Sequence, residues 1–88
     1  MNKELHDIAD AINELKEDTM VPKNIKTKLD EILAIFENKD ENISIKINKA
    51  LNTLDELSDD PNIQAFTRTQ LWNIATMLES INSNGNGN

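Results

Sequence analysis

Residues 14–37 of this chain read ELKEDTMVPKNIKTKLDEILAIFE, and 42 positions later residues 56–79 read ELSDDPNIQAFTRTQLWNIATMLE. Seven of these 24 aligned positions hold the same residue type; in the first stretch they are Glu14, Leu15, Asp18, Thr27, Leu29, Ile32 and Glu37. A period near 40 residues is typical of a helical hairpin that is used twice. We therefore expect two similar halves, each built from a pair of helices.

Apolar residues recur at helical spacing in four segments, which is the pattern of amphipathic helices that pack on a common core. The first predicted helix runs from about 2 to 17, the second from Pro22 to about 37, and the fourth from about 64 to 81. Pro22 suits a first helical position because its missing N–H costs nothing there. The third helix is expected to begin at a cap formed by Asn42 or Ser44 and to end before the breaker at 58–62. The expected apolar stripes are Leu5, Ile8, Ala9, Ile12 and Leu15; Ile25, Leu29, Ile32, Leu33 and Phe36; Ile47, Ala50, Leu51, Leu54 and Leu57; and Leu71, Ile74, Leu78 and Ile81.

The connections between the helices are short, which forces neighbouring helices to run antiparallel. We predict an all-α fold of four antiparallel helices, arranged as two repeated hairpins in a single domain over residues 1–81. Two arrangements remain open: an up-down bundle, and a HEAT-like stack of two helix pairs. Residues 82–88 are Asn, Ser and Gly only, and we expect them to form a flexible tail.

Composition limits the function classes. The chain has 16 acidic and nine basic residues, a formal net charge of −7, and no cysteine. The negative charge opposes binding to nucleic acid and to anionic lipid. The N-terminus is charged where a signal peptide would be apolar, and no apolar run approaches a membrane span. We expect a cytoplasmic protein without a membrane partner.

Nothing in the sequence assembles a catalytic or cofactor site. The chain has one histidine, and its two glycines lie at 85 and 87, so neither a multi-imidazole metal site nor a glycine-rich phosphate loop is predicted. The acidic clusters lack the residue pattern of a calcium loop. We predict no metal, no cofactor and no enzymatic activity.

Trp72 is the candidate contact residue for a partner. It lies well outside the apolar stripe of the fourth helix, close to Ala65 and Ala75 and near Arg68. Tryptophan is strongly enriched at binding hot spots, so we predict that Trp72 anchors a contact with another chain or with a second copy. The alternative is that the helix tilts and covers Trp72 beneath the turn that precedes it.

A second candidate site is cationic. Lys23, Lys26 and Lys28 lie in the first turns of the second helix, where a helix N-terminus attracts anions. Lys46, Lys49 and Arg68 are expected at the same end of the molecule. This end is the predicted contact for a phosphate or RNA backbone, although the net charge opposes it.

An apolar residue followed by a base occurs at Ile25-Lys26 and Ile45-Lys46, with a degenerate form at Thr67-Arg68. Together with Asp18 and Asp60 in the turns, this pattern is similar to HEAT-type repeats. In such repeats the turn aspartate and the early base can form a polar ladder between layers.

Five motifs between residues 14 and 81 carry a more specific resemblance. They are Val21-Pro22-x-x-Ile25-Lys26, Ser44-Ile45-Lys46, the run from Leu54 to Asn62, Thr67-Arg68-Thr69-x-Leu71-Trp72, and Leu78-Glu79. In these motifs the chain resembles a small archaeal family, known only as an uncharacterised protein family of compact all-helical chains of about this length. The resemblance implies a four-helix fold and a cytoplasmic archaeal protein, and it brings no catalytic residues.

These observations favour non-enzymatic protein–protein association, either as a small acidic adaptor or as a self-associating helical module. The alternative from a different class is a nucleic-acid- or ribosome-associated accessory protein that uses the lysine-rich helix end.

Overall fold

A computed structural model describes residues 3–86, and within that range the protein contains helices and turns but no strand. The helices are α1 (Lys3–Lys16), α2 (Lys23–Glu37), α3 (Ile43–Ser58) and α4 (Ala65–Asn86). The predicted all-α, four-helix fold is confirmed. The boundaries of α1 and α2 lie within one residue of those expected from the sequence.

Local hydrogen bonds explain where the helices begin. Pro22 is the N-cap of α2, with an extended backbone (φ −61°, ψ 152°), and its carbonyl accepts the N–H groups of Ile25 and Lys26. It therefore lies one position before the first helical position predicted for it. Of the two caps considered for α3, Asn42 is the one observed, since its side-chain oxygen accepts the Ile45 N–H at 3.0 Å.

The four helices close into a ring. Within residues 3–86, α1 packs against α2 and α4, and α3 packs against α2 and α4, whereas the backbones of the diagonal pairs α1–α3 and α2–α4 do not approach each other closely. A HEAT-like stack would place α1 on α3 and α2 on α4. The observed arrangement is therefore the closed up-down bundle, and the HEAT-like stack is not found.

Burial repeats along the chain with the same 42-residue offset as the sequence. Both members of each pair are buried at Leu5/Ile47, Ile8/Ala50, Ile12/Leu54, Leu15/Leu57, Val21/Ile63, Ile25/Thr67, Leu29/Leu71, Ile32/Ile74 and Phe36/Leu78. The two halves thus supply equivalent positions to one core. Duplication of a single hairpin stays a prediction with which this pattern agrees.

The core contains the stripes expected from the sequence, except for three residues at its edge, and it also includes Val21 and Ile63 from the turns before α2 and α4. Leu33, Leu51 and Ile81 are only partly buried and pack against the core from outside. Two polar residues are buried that the stripes did not include. Thr67 is 1% exposed at the position equivalent to Ile25, and Lys46 is 9% exposed in the first turn of α3.

Lys46 and Arg68 each tie a helix to the end of the preceding one. Lys46 Nζ donates to the carbonyl of Phe36 (3.0 Å), and Arg68 Nε donates to the carbonyl of Ser58 (3.1 Å), in both cases ten residues earlier. A cation is favourable there because the last carbonyls of a helix are unpaired and carry partial negative charge.

The turn aspartates act locally instead of forming the predicted ladder with these bases. Asp18 Oδ1 accepts the N–H of Met20, and Asp60 Oδ1 accepts the N–H of Asn62, each at 2.8 Å. The predicted polar ladder is therefore wrong: the bases bind backbone carbonyls, and the aspartates fix their own turns.

Helix α4 is longer than predicted. It continues through Asn86, so residues 82–86 are helical where the sequence indicated a tail. Propagating an existing helix gains one hydrogen bond per residue, and no proline interrupts this segment. Residues 87 and 88 of the expected tail lie outside the described residues. No helix within 3–86 has both the length and the apolar character that crossing a bilayer would require.

Replacing Lys46 tests its capping bond. We expect Lys46→Ala to lower the free energy of unfolding by about 1.5–3 kcal/mol, because it removes a charge-assisted hydrogen bond from a buried site. Urea unfolding followed by circular dichroism measures the change. Lys39→Ala, on an exposed turn lysine, is the control and should stay within about 0.5 kcal/mol of the wild type. Equal effects of the two substitutions would contradict the assignment.

Candidate protein-binding surfaces on the fourth helix

Only one stripe along helix α4 is buried, and the surfaces on both sides of that stripe are exposed. Its buried residues, Thr67, Leu71, Ile74 and Leu78, form one stripe that faces the ring. On the flank towards α3 lies Trp72, which is 68% exposed. On the flank towards α1 lie Phe66 and Met77, which are 60% and 40% exposed; both line clefts shared with α1 residues. Large apolar side chains are thus uncovered on both flanks of one helix.

Two open grooves meet at Trp72. The first lies near the α3–α4 turn and is lined by Ser58, Ala65, Arg68, Thr69 and Trp72. The second runs along α3 and is lined by Leu51, Asn52, Leu54, Asp55, Ser58, Trp72, Ala75 and Glu79. We call the residues of these two grooves the Trp72 face. The structure brings together all four residues that the sequence proposed for partner binding, namely Trp72, Ala65, Ala75 and Arg68.

The alternative in which Trp72 is covered does not hold. At about 100° per residue, Trp72 lies roughly 130° from the middle of the buried α4 stripe, too far round the helix for the turn to shield it. Its 68% exposure in the single chain agrees with this placement. Its role as a partner contact stays a prediction.

Arg68 has a structural role besides its place on this face. Its Nε and Nη2 atoms donate to the carbonyls of Ser58 and Asp60 at 3.1 and 3.3 Å. These bonds fix the α3–α4 turn from the side of α4. Arg68 also lines the groove beside Trp72.

The predicted cationic end is less concentrated than the sequence indicated. Lys46 and Lys49 lie at the opposite end of the bundle, where Lys46 binds the α2 carboxyl end and Lys49 pairs with Glu41 at 2.5 Å. The prediction that they join Lys23 is wrong, because α3 begins at the end of the bundle where α2 finishes. Arg68 is at the Lys23 end, since Asn24 of α2 donates to the Asp60 carboxylate at 3.0 Å.

The three lysines of α2 do not converge on one point. Lys26 and Lys28 are two positions apart, so they lie on opposite sides of the buried α2 stripe. Lys28 also lies 3.6 Å from Glu31, whose negative charge offsets it. Lys23 is exposed on the outer surface. Among residues 3–86 no group of three or more His, Asp or Glu side chains is placed to hold a metal ion.

The groove between α1 and α4 was not predicted from the sequence. At one end it contains Phe66 with Glu14 and Asp18, and at the other Met77 with Glu4 and Asp7. The sequence does contain one indication of this groove, because the spacing of the four acids follows a heptad pattern and places them along one side of α1. The acids and the apolar side chains come from helices at opposite ends of the sequence, so their association appears only in the folded protein.

The fold and these surfaces define a class: a small, closed four-helix domain with apolar side chains exposed on its last helix. The chain belongs to the uncharacterised protein family UPF0147, whose family model matches residues 1–81. This confirms the family resemblance predicted from the sequence. Relatives of this chain come from several archaea.

Two relatives illustrate the similarity. A UPF0147 protein of Methanothermobacter thermautotrophicus is 35% identical over 80 residues, which cover 91% of this chain and 78% of the relative. A UPF0147 protein of Methanosarcina acetivorans is 33% identical over 70 residues, which cover 80% and 72% of the two chains.

Solved structures share the fold. The crystal structure of a protein from the uncharacterized family UPF0147 from Thermoplasma acidophilum superposes with a TM-score of 0.84 at 29% identity, covering 89% of this chain and 92% of that one. The crystal structure of the unknown function protein MMP1188 gives a TM-score of 0.83 at 35% identity, with 88% of each chain covered. The four-helix architecture is therefore common to this chain and to both crystal structures.

The exposure of Trp72 predicts that the fold does not depend on it. Trp72→Ala should change the free energy of unfolding by no more than about 1 kcal/mol, whereas Leu71→Ala, at the adjacent fully buried position, should cost about 2–5 kcal/mol. Urea unfolding of dilute protein measures both, since dilution removes any contribution from association. A loss for Trp72→Ala as large as that for Leu71→Ala would show that the core includes Trp72.

Proposed function

We propose that this protein is a non-enzymatic association module, that it acts in the cytoplasm, and that a second copy of the chain covers the Trp72 face. One observation carries the proposal. Trp72 is 68% exposed, whereas the core of the domain is already closed by residues of the four stripes, to which Trp72 does not belong. An aromatic side chain of this size outside a finished core gains free energy only when another surface covers it.

The free energy gained by covering Trp72 is large for a chain of this size. Covering the exposed two thirds of a tryptophan removes on the order of 100–170 Å² from water, which is worth roughly 2.5–4 kcal/mol before the costs of association. The small side chains of Ala65 and Ala75 beside Trp72 leave room for a partner to approach closely. Aromatic anchors set beside such space are characteristic of binding hot spots.

The charges on the Trp72 face favour a second copy. Arg68 precedes Trp72 by four residues, whereas Glu79 follows it by seven and Asp55 lies beside it on α3. In a two-fold dimer the same patch is used twice in opposite directions. An antiparallel pairing of α4 about Trp72 therefore turns Arg68 of each copy towards Glu79 of the other.

The alternative function, nucleic-acid or ribosome association through Lys23, Lys26 and Lys28, has weaker support. Lys46 and Lys49 lie at the other end of the bundle, and Lys26 and Lys28 diverge around α2. Retention on immobilised RNA that falls steeply as salt rises would favour this alternative.

Light scattering coupled to size exclusion tests the proposal. The monomer mass is 10.0 kDa, and we expect the wild type to approach twice that mass as its concentration rises. Trp72→Ala should remain at the monomer mass, because it removes the anchor of the interface. Phe66→Ala is the matched control, since Phe66 is an exposed aromatic residue on the other flank of the same helix, and it should behave as the wild type.

Circular dichroism of each variant establishes that it is folded. A monomer for all three proteins at every concentration would rule out self-association. A dimer that survives Trp72→Ala but not Phe66→Ala would place the interface on the α1 flank instead.

A further inference from the structure

The seam between α1 and α4 forms a groove whose floor is apolar. Near the α1–α2 turn the floor contains Leu15 and Ile74, with the exposed ring of Phe66 beside them. Near the chain termini it contains Ile8 and the partly exposed Met77. We call this surface, together with the α1 side chains that border it, the α1–α4 groove.

One wall of the groove is a row of acids. Glu4, Asp7, Glu14 and Asp18 line it, and their spacings of three, seven and four residues place all four along one line of α1 and the turn that follows. Ala11 occupies the remaining position of that line. No Lys, Arg or His residue lines the groove within the part of the chain that the structure describes.

The acids of this row are largely uncompensated. Asp7 pairs with Lys3 at 3.3 Å, a contact between two exposed side chains that water and salt screen. No ion pair involves Glu4 or Glu14 among the described residues. The groove therefore keeps a negative potential along its length, on a molecule whose net charge is already −7.

This charge pattern decides what can occupy the groove. A second copy of the chain would bring an identical acidic row against the first, and like charges in contact strongly disfavour a complex. Phosphate backbones and anionic lipid surfaces are excluded by the same sign. A cationic partner with apolar side chains complements both the acidic wall and the apolar floor of the groove.

We propose that the α1–α4 groove binds a basic amphipathic helix of another protein. The acidic row runs over 15 residues, from Glu4 to Asp18, and the 14 steps between them span about 21 Å if helical rise continues throughout. A helix of about four turns matches that length. Its apolar side chains at i, i+3 or i+4, and i+7 pack against Phe66 and Met77, while its Lys and Arg residues face the acids of α1. This site shares no residue with the Trp72 face.

Fluorescence anisotropy with synthetic peptides tests the proposal. The probe is a labelled amphipathic peptide of leucine and lysine, about 14 residues long, and its counterpart has glutamate in place of lysine. We expect the lysine peptide to bind, with affinity that falls as salt rises, and the glutamate peptide not to bind.

Charge variants locate the binding site. Glu4→Gln with Glu14→Gln should weaken binding roughly three- to tenfold, the sum expected for two screened charge pairs. Glu37→Gln with Glu56→Gln removes the same number of charges from exposed positions outside the groove and should change affinity less than twofold. Equal weakening by both pairs would overturn the proposal, because it would show unspecific attraction to an acidic protein.

Apolar variants test the floor without changing charge. Met77→Ser should weaken binding about threefold or more, whereas Ile45→Ser, at a residue of similar exposure outside the groove, should leave it unchanged. Circular dichroism confirms that each variant is folded. Failure of the lysine peptide to bind at low salt, or insensitivity to Met77→Ser, would also overturn the proposal.

Discussion

The structure depends on the burial of one narrow aliphatic stripe on each of four helices. Two helices by themselves cannot fully bury both of their apolar stripes. The chain therefore closes into a ring in which every helix packs against two others. The closure of α1 against α4 completes the core between elements at opposite ends of the sequence. Because each stripe covers only part of its helix, ring closure leaves the two flanks of α4 uncovered, and Phe66, Trp72 and Met77 are exposed on those flanks.

The two flanks of α4 differ in chemistry. The α3 side combines Trp72 with small residues and with charges of both signs, which suits a self-complementary contact. The α1 side combines Phe66 and Met77 with acids only, which suits a cationic partner and repels a copy of itself. One helix thus presents two surfaces for which we propose different partners, and a dimer formed through the first would display two copies of the second.

Much of the fold follows from periodicity alone. The stripe of α1 is buried residue for residue as its spacing predicts, and the off-stripe angle of Trp72 correctly predicts that it lies outside the core. The burial of Lys46 could not be predicted from periodicity, because it depends on a hydrogen bond to the carbonyl of Phe36 at the end of another helix. The end of α4 was placed too early because composition does not show where helix propagation stops. The α1–α4 groove depends on contact between helices that are remote in sequence.

The ring of four helices is complete without Trp72, and we propose that this exposed side chain is available to a partner. Trp72 is the single tryptophan of the chain, so its fluorescence and its quenching by acrylamide report directly on this residue. In a dilution series we expect red-shifted emission and ready quenching at the lowest concentration, with a shift to the blue and growing protection as concentration rises. Blue-shifted, protected emission at every dilution would contradict the account, because Trp72 would then belong to the core of the monomer.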